Sequence, residues 1–248
     1  SFPTRRSSDL SLIGLDYLLA AGISPGMFTV VTAANQYKLL DHFDFYVGKG
    51  IKKFNFSPIL HSGKAADKKY DVNINHLIET NLKLMEKINL INNECNNIED
   101  YISEVNISNL LNNLSSLNIY NLCTLAPCGA GHTMLGFDID GSFYSCDYFI
   151  GNLEFKIGNI YEVDDIKNSI FRNPSVQNLL KRNIDSIKEC RMCTWKNVCT
   201  YHCASDSYFN HKTLYKPHSM CEYVKKIIPR IIDLLYRKKI SINNIPPC

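Results

Sequence analysis

The sequence holds no apolar run near the roughly 18 residues that a membrane-crossing helix needs. Its longest candidates, LIGLDYLLAAGI and KIIPRIIDLL, are short, and each contains a charge. No membrane partner is therefore expected. Charge of one sign is also scarce: the formal net charge is +3 over 248 residues, too weak to argue for nucleic acid or a lipid surface. No self-similarity stands out at the period of about 20–50 residues that marks repeat arrays. What is left is an ordinary globular composition, 45% hydrophobic, long enough for one large domain or two small ones. A cytoplasmic protein is expected.

The first ten residues need separate treatment. SFPTRRSSDL sets an arginine pair before an apolar stretch, which is the layout of a twin-arginine export signal. Asp16 interrupts that stretch, and no small-residue cleavage site follows clearly. The decapeptide also resembles translated adapter sequence found at the ends of assembled fragments. Residues 1–10 are accordingly set aside as a non-native leader, with the expectation that the natural protein begins further upstream.

Along the chain, MFTVVTAA (Met27 to Ala34) is a β-branched run that reads as a buried strand. Leu39, Leu40, Phe43 and Val47 then share a helical face, with Gly48 and Gly50 as stop signals. IKKFNFS (Ile51 to Ser57) reads as a second strand, ended by Pro58. Strand, helix and strand at this spacing predict a βαβ unit with a parallel pair. Such a unit needs neighbours on both sides, which fits part of a barrel better than a whole one. Leu77, Ile78, Leu82, Met85 and Ile88 predict a helix within Ile74 to Ile91, and Ile98, Tyr101, Ile102 and Val105 predict a second one. The Asn-rich stretch from Asn89 to Asn121 reads as solvated helix and linker, its asparagines a compositional bias. GFDIDGSFYSCD (Gly136 to Asp147) predicts a tight hairpin with a type I′ turn at Asp140-Gly141. Its DxDG could suggest a calcium loop, but the later ligands are missing. Asn173-Pro174 is an N-cap followed by a first-turn proline. A last helix is expected from Glu222 to Lys239, kinked by Pro229.

Against this background the ten cysteines stand out. Disulfide-dense scaffolds are small, secreted and poor in large cores, whereas this chain has long apolar-periodic segments. Clustered thiols here favour metal over disulfides. Four of them fall within ECRMCTWKNVCTYHC (Glu189 to Cys203), and a second group comprises Cys123, Cys128, Cys146 and Cys221. Two thiolates in Cys-x-x-Cys reach one centre over a tight turn, as Cys190 and Cys193 do. Residue types alone allow two zinc sites with four cysteines each, so zinc and iron–sulfur both stay open at this point.

The spacing also meets a known pattern. Cys128, Gly141 and Cys146 precede Cys190-x2-Cys193-x5-Cys199-x3-Cys203 and then Cys221. This resembles the seven-cysteine SPASM signature of radical S-adenosylmethionine (SAM) enzymes that modify peptides and proteins. CGAG (Cys128 to Gly131), DGSFYSCD (Asp140 to Asp147) and KIGNI (Lys156 to Ile160) resemble that family too, so the likeness covers about residues 122–222. TVVTAAN and FNFSPIL resemble late strands of the radical SAM barrel. Anaerobic sulfatase maturases and ribosomal-peptide maturases are the nearest resemblance.

The resemblance implies an α/β plus irregular α+β architecture: the C-terminal part of a radical SAM (β/α)6 partial barrel, then a Cys-rich SPASM auxiliary-cluster domain. The corresponding division is a barrel remnant at 11–90, a helical linker at 91–121 and a SPASM domain with its C-terminal helix at 122–248. It implies two auxiliary [4Fe–4S] clusters with interleaved ligands. Carried over by position, the first takes Cys123, Cys128, Cys146 and Cys203, and the second takes Cys190, Cys193, Cys199 and Cys221. Cys123 lies outside the seven-cysteine signature; without it, the first cluster would keep an open iron. The crossing of Cys203 has a parallel in two-cluster ferredoxins. Asp147 is the implied catalytic proton acceptor, with a plain turn aspartate as the alternative, and Asn35, at the end of its strand, reads either as a neighbour of bound SAM or as a helix cap. His202 reads as a solvated residue or a neighbour of the ligands, Trp195 as packing, and Cys95 and Cys248 as free thiols.

The expected reaction is a post-translational change to a peptide or protein side chain. In the full-length parent, SAM and a third [4Fe–4S] cluster would start it, with ferredoxin or flavodoxin as external electron donor. The CxxxCxxC motif that binds that third cluster is absent from these 248 residues, so the chain as it stands is expected not to cleave SAM. Two other classes stay in view: a zinc-binding Cys-rich module, and a ferredoxin-like electron-transfer domain.

Overall fold

Helix α1 (Thr4–Ala20) leads into strand β1 (Met27–Val31), helix α2 (Leu39–Gly48) and strand β2 (Lys53–Pro58) in a computed structural model that describes residues 4–62, 65, 68–116 and 127–244. Cys123 and Cys248 lie outside the described residues. β1 and β2 pair in parallel, with Met27 opposite Phe54 and Val31 opposite Pro58. The glycine stop after α2 works through Gly50, whose φ of 77° is left-handed. Its neighbour Ile51 then donates back to the Tyr46 carbonyl at 2.9 Å. Phe54 and Phe56, two residues apart on β2, share one face with Phe43 and Tyr46 of α2. All four are buried.

β1 departs from the buried strand that its β-branched run suggests. Phe28 and Val30 point outward while Val31 is fully buried, so the strand is half-buried. β-branched residues suit any pleated surface and do not by themselves report burial on both faces.

Helix α3 (Ile74–Glu94) follows, capped by the Asn73 side chain, which accepts from His76 N at 3.0 Å. The predicted second helix from Ile98 is not one element. A 3₁₀ turn (Ile98–Asp100) precedes a two-residue strand β3 (Ser103–Glu104), parallel to β2, and only then helix α4 (Val105–Ser116). Asn92 explains the change, and it corrects the reading of the asparagines as bias. Its side chain is fully buried, accepts from Ile102 N at 2.7 Å and donates to Ile102 O at 2.9 Å. Those two bonds hold the residue before β3 extended. Glu104 completes the join, its carboxylate accepting from Phe56 N at 2.8 Å and Ile107 N at 2.7 Å. It is buried, and burial pushes its pKa up to about 7 despite those donors.

The chain divides into two units: Ser1–Ile59, Tyr70–Leu111 and Pro229–Cys248 form one, Leu60–Lys69 and Asn112–Ile228 the other. In the second unit, β4 (Gly136–Phe137), β5 (Ser142–Tyr144) and β6 (Lys156–Asn159) make an antiparallel sheet in that order. The hairpin exists, but its turn is not type I′. Asp138 N donates to Ser142 O, and Gly141 N donates back to Asp138 O, enclosing a three-residue loop. Gly141 alone takes positive φ, 82°, while Asp140 does not. A type I′ turn needs both central residues there. A Cβ on Gly141 would also meet the Tyr161 ring at 2.6 Å.

Short helices follow: α5 (Ile166–Arg172), α6 (Pro174–Lys181), α7 (Lys188–Arg191), α8 (Ala204–His211) and α9 (Cys221–Tyr236). Asn173 caps α6, accepting from Ser175 N at 2.9 Å, with Pro174 in the first turn. α9 buries Val224, Ile227, Ile228 and Ile231 along one stripe, with Pro229 inside it. Phe149, Phe155, Tyr144 and Leu179 pack with Cys128 and Cys146 in one cluster. Among the described residues no helix is long and apolar enough to cross a membrane.

Candidate metal centres

The SPASM-like segment gathers seven described cysteines around two cavities, both within the second unit. Cys128, Cys146 and Cys203 line the first, with about 300 Å³ of non-atom space, bordering solvent included. Cys190, Cys193, Cys199 and Cys221 line the second, with about 390 Å³ counted the same way. All eight described cysteines are free thiols, Cys95 among them.

Local structure explains each placement. Cys128 leads into a tight turn in which Gly129 O accepts from His132, Thr133 and Met134 N–H groups. Cys146 follows β5, held where Gly136 lets the strands approach. A Cβ at 136 would sit 2.7 Å from the Cys146 carbonyl and from Asp147 Cα and N. Cys203 is the N-cap residue of α8, so it is set apart from the run that precedes it. Cys190 ends its turn by accepting from Cys193 N at 2.9 Å. Cys199 N donates to Trp195 O at 2.9 Å, and Cys221 opens α9.

The thiols sit in surroundings that resist charge. Burial raises the pKa of Cys146, with the hydrogen-bonded Asp147 carboxylate adding to it. Burial also raises Cys203, Cys190 and Cys221, and pushes Cys199 up to about 12. Thiols in such places need a cation or a metal to become thiolates.

Arg182 supplies part of the answer, and nothing in its sequence neighbourhood announced it. Its side chain is only 2% exposed. Nε donates to Leu214 O at 2.6 Å, Nη1 to His202 O at 2.7 Å and Nη2 to Ser207 Oγ at 3.1 Å. Among the described residues no carboxylate pairs with it. Burial pulls its pKa down, while Cys128, Cys203 and Cys190, from both cysteine groups, pull it back up. A guanidinium stays protonated in any protein, so this one is a buried cation held by three neutral oxygen acceptors. The donor set therefore fits a thiolate-held anionic centre in each cavity.

His202 is also buried, 3% exposed, and lines the second cavity with Cys199 and Cys221. Burial, then Arg182, push its pKa down to about 4. Trp195 lines the same cavity. Asp147 is exposed, and its Oδ1 accepts from Cys146 Sγ at 2.9 Å. Asn35, in the first unit, closes the turn after β1. Its Oδ1 accepts from Thr32 N at 2.8 Å and its Nδ2 donates to Val30 O at 2.8 Å.

Comparison with known proteins begins in this cysteine-rich segment. Residues 128–194 match the SPASM model, an iron–sulfur cluster-binding domain. Over these residues the chain is similar to SPASM domains. An uncharacterized protein of Archaeoglobus fulgidus is 31% identical over 115 residues, which cover 46% of this chain and 27% of that protein. The structure of anSMEcpe with bound AdoMet superposes with a TM-score of 0.69 at 16% identity, over 92% of this chain and 57% of that one. The same protein with AdoMet and the Kp18Cys peptide gives 0.65 at 15% identity, over 92% and 60%. SuiB of Streptococcus suis bound to S-adenosylmethionine gives 0.56 at 16% identity, over 84% and 47%. The fold is thus shared with anSMEcpe and with SuiB. The chain spans between 27% and 60% of the length of these relatives.

Proposed function

We propose that this chain supplies the SPASM-bearing part of a radical SAM maturase that modifies a peptide or protein, and that it holds two auxiliary [4Fe–4S] clusters. The observation that carries the reading is the division of the thiols between two cavities. The thiols of each group stand around a volume. Cys123 is the proposed fourth ligand of the first cluster.

When bound, such clusters supply one-electron transfer at a potential set by their surroundings. This chain's own residues do the rest. The cysteines hold, Arg182 compensates charge, and the apolar lining of Phe149, Met134 and Ala204 keeps water from the first centre. Asp147, one residue beyond Cys146 and exposed, is the proposed acceptor of the substrate's proton. Asn35, at the end of β1, is the proposed edge of the SAM site. The proposed partners are a peptide substrate and a reductant of ferredoxin or flavodoxin type, in a cytoplasmic setting that keeps thiols reduced.

Paired substitutions test the two-centre assignment. After anaerobic reconstitution, Cys190→Ala with Cys193→Ala should leave about half the iron and sulfide, and so should Cys128→Ala with Cys146→Ala. Combining both pairs should leave none. If either pair alone removed all the iron, or if zinc bound without sulfide, the two-cluster reading would be wrong.

A further inference from the structure

The first cavity brings one hydroxyl against a proposed ligand. Ser205 Oγ lies 2.9 Å from Cys203 Sγ, and both residues line the cavity together with Cys128 and Cys146. Ser205 is 2% exposed, and among the described residues its hydroxyl has no other hydrogen-bond partner. A buried hydroxyl left without a partner is costly, so this one is committed to the sulfur. The pair is fixed by the helix. Cys203 is the N-cap residue of α8 and Ser205 the second residue of its first turn. Ser207 Oγ donates to Cys203 O at 3.3 Å and holds the cap residue from the next turn. The neighbour of Cys146 is of the opposite kind: Asp147 Oδ1 accepts from that thiol. In the Ser205–Cys203 pair either atom can be the donor while the thiol keeps its proton. A sulfur bound to iron has none, so in the loaded chain the hydrogen comes from Ser205 alone.

We propose that Ser205 Oγ–H donates a hydrogen bond to the Cys203 sulfur of the first cluster, and that this contact raises that cluster's tendency to accept an electron. The inference rests on the two-cluster reading above. Hydrogen bonds to sulfur are one of the means by which a protein sets a cluster's potential. The reduced cluster is the more negative one, so a donor aimed at its ligand sulfur favours the reduced state. The electron comes from the ferredoxin- or flavodoxin-type reductant, and the hydroxyl keeps its proton throughout. Ser205 acts through Cys203 and is a positioning residue, distinct from the ligands.

A redox titration of the anaerobically reconstituted chain, followed by electron paramagnetic resonance, tests this. The signal of the first cluster is assigned in the Cys190→Ala, Cys193→Ala variant, where that cluster stands alone. Ser205→Ala should lower its reduced-to-oxidised ratio about three- to tenfold at a fixed potential and leave the other cluster unchanged. Ser205→Thr, which keeps the hydroxyl, should restore much of that ratio. A second readout needs no substitution: pulsed resonance of the reduced first cluster, soon after transfer to heavy water, should show a coupled exchangeable deuterium, weaker in Ser205→Ala. An unchanged ratio in Ser205→Ala, an equal shift in both clusters, or a Thr variant that titrates like the Ala variant would each overturn the inference alone. So would loss of the first cluster's iron in Ser205→Ala, which marks a structural hydroxyl, or no exchangeable deuterium in the unsubstituted chain. Absence of cluster absorbance in the unsubstituted chain overturns the two-cluster reading and this inference together.

Discussion

Replacing Arg182 separates charge from hydrogen bonding at the proposed centres. Arg182→Met removes three donors. Leu214 O and His202 O lose their Arg182 donors. Ser207 Oγ keeps a bond to Cys203 O at 3.3 Å. Two orphaned buried carbonyls cost about 1–3 kcal/mol each, so the loss on this side is about 2–6 kcal/mol. The charge adds a second effect. Two unit charges about 4 Å apart interact by about 4 kcal/mol when the effective dielectric constant is about 20, and by less in proportion as the separation grows. A cluster with four thiolates carries net negative charge, and Arg182 is electrostatically linked to thiols of both groups. Arg182→Lys keeps the charge and loses the planar fork, so it should lose stability but hold its iron. Arg182→Met should lose stability and also shed iron from both centres. The assay is anaerobic urea unfolding alongside iron per chain at limiting iron. Equal iron retention in the Met and Lys variants would refute the charge argument.

Two further outcomes follow from single residues. Glu104 has a folded pKa of about 7 against 4.5 in its ordinary state. The folded state therefore holds a proton that the unfolded chain has already released between those values. Its contribution to stability is present below about pH 4.5 and lost as pH rises to about 7, a change of about 3 kcal/mol in total and about 1 kcal/mol between pH 6 and 7. Unfolding midpoints at pH 6, 7 and 8 should fall and then level; Glu104→Gln should flatten the fall, and an unchanged slope would contradict the assignment. Gly136→Ala puts a Cβ 2.7 Å from the Cys146 carbonyl and the Asp147 backbone. It should cost about 1–3 kcal/mol and lower iron at the first centre specifically, as seen by iron content in a Cys190→Ala, Cys193→Ala background. Full iron there would show that the strand gives way without moving Cys146.

Much of the fold was legible because periodicity and caps speak locally. The change from a β-branched run at Met27 to a helical face at Leu39 and back to a strand near Lys53 marks the parallel unit. Asn173-Pro174 marks α6 in the same way. β3 was not legible. It is two residues long, and Ile98, Tyr101, Ile102 and Val105 happen to lie at helical spacing, while the buried Asn92 that holds it open is one asparagine among many. The hairpin's turn type failed for a related reason, since Asp-Gly serves a three-residue loop as readily as a two-residue one. The cysteine spacing carried the family resemblance. Arg182 was silent because an arginine after Lys181 looks like any solvated residue, and only the fold buries it. His202 was noticed within the array, but its burial is a property of three-dimensional surroundings.

The most direct test of two iron–sulfur centres is ⁵⁷Fe Mössbauer spectroscopy of anaerobically reconstituted chain, with iron and sulfide quantified on the same sample. The account predicts about eight irons and eight sulfides per chain, with all the iron in the spectral signature of [4Fe–4S] clusters. Tightly bound zinc with neither iron nor sulfide, or iron bound without sulfide, would contradict it.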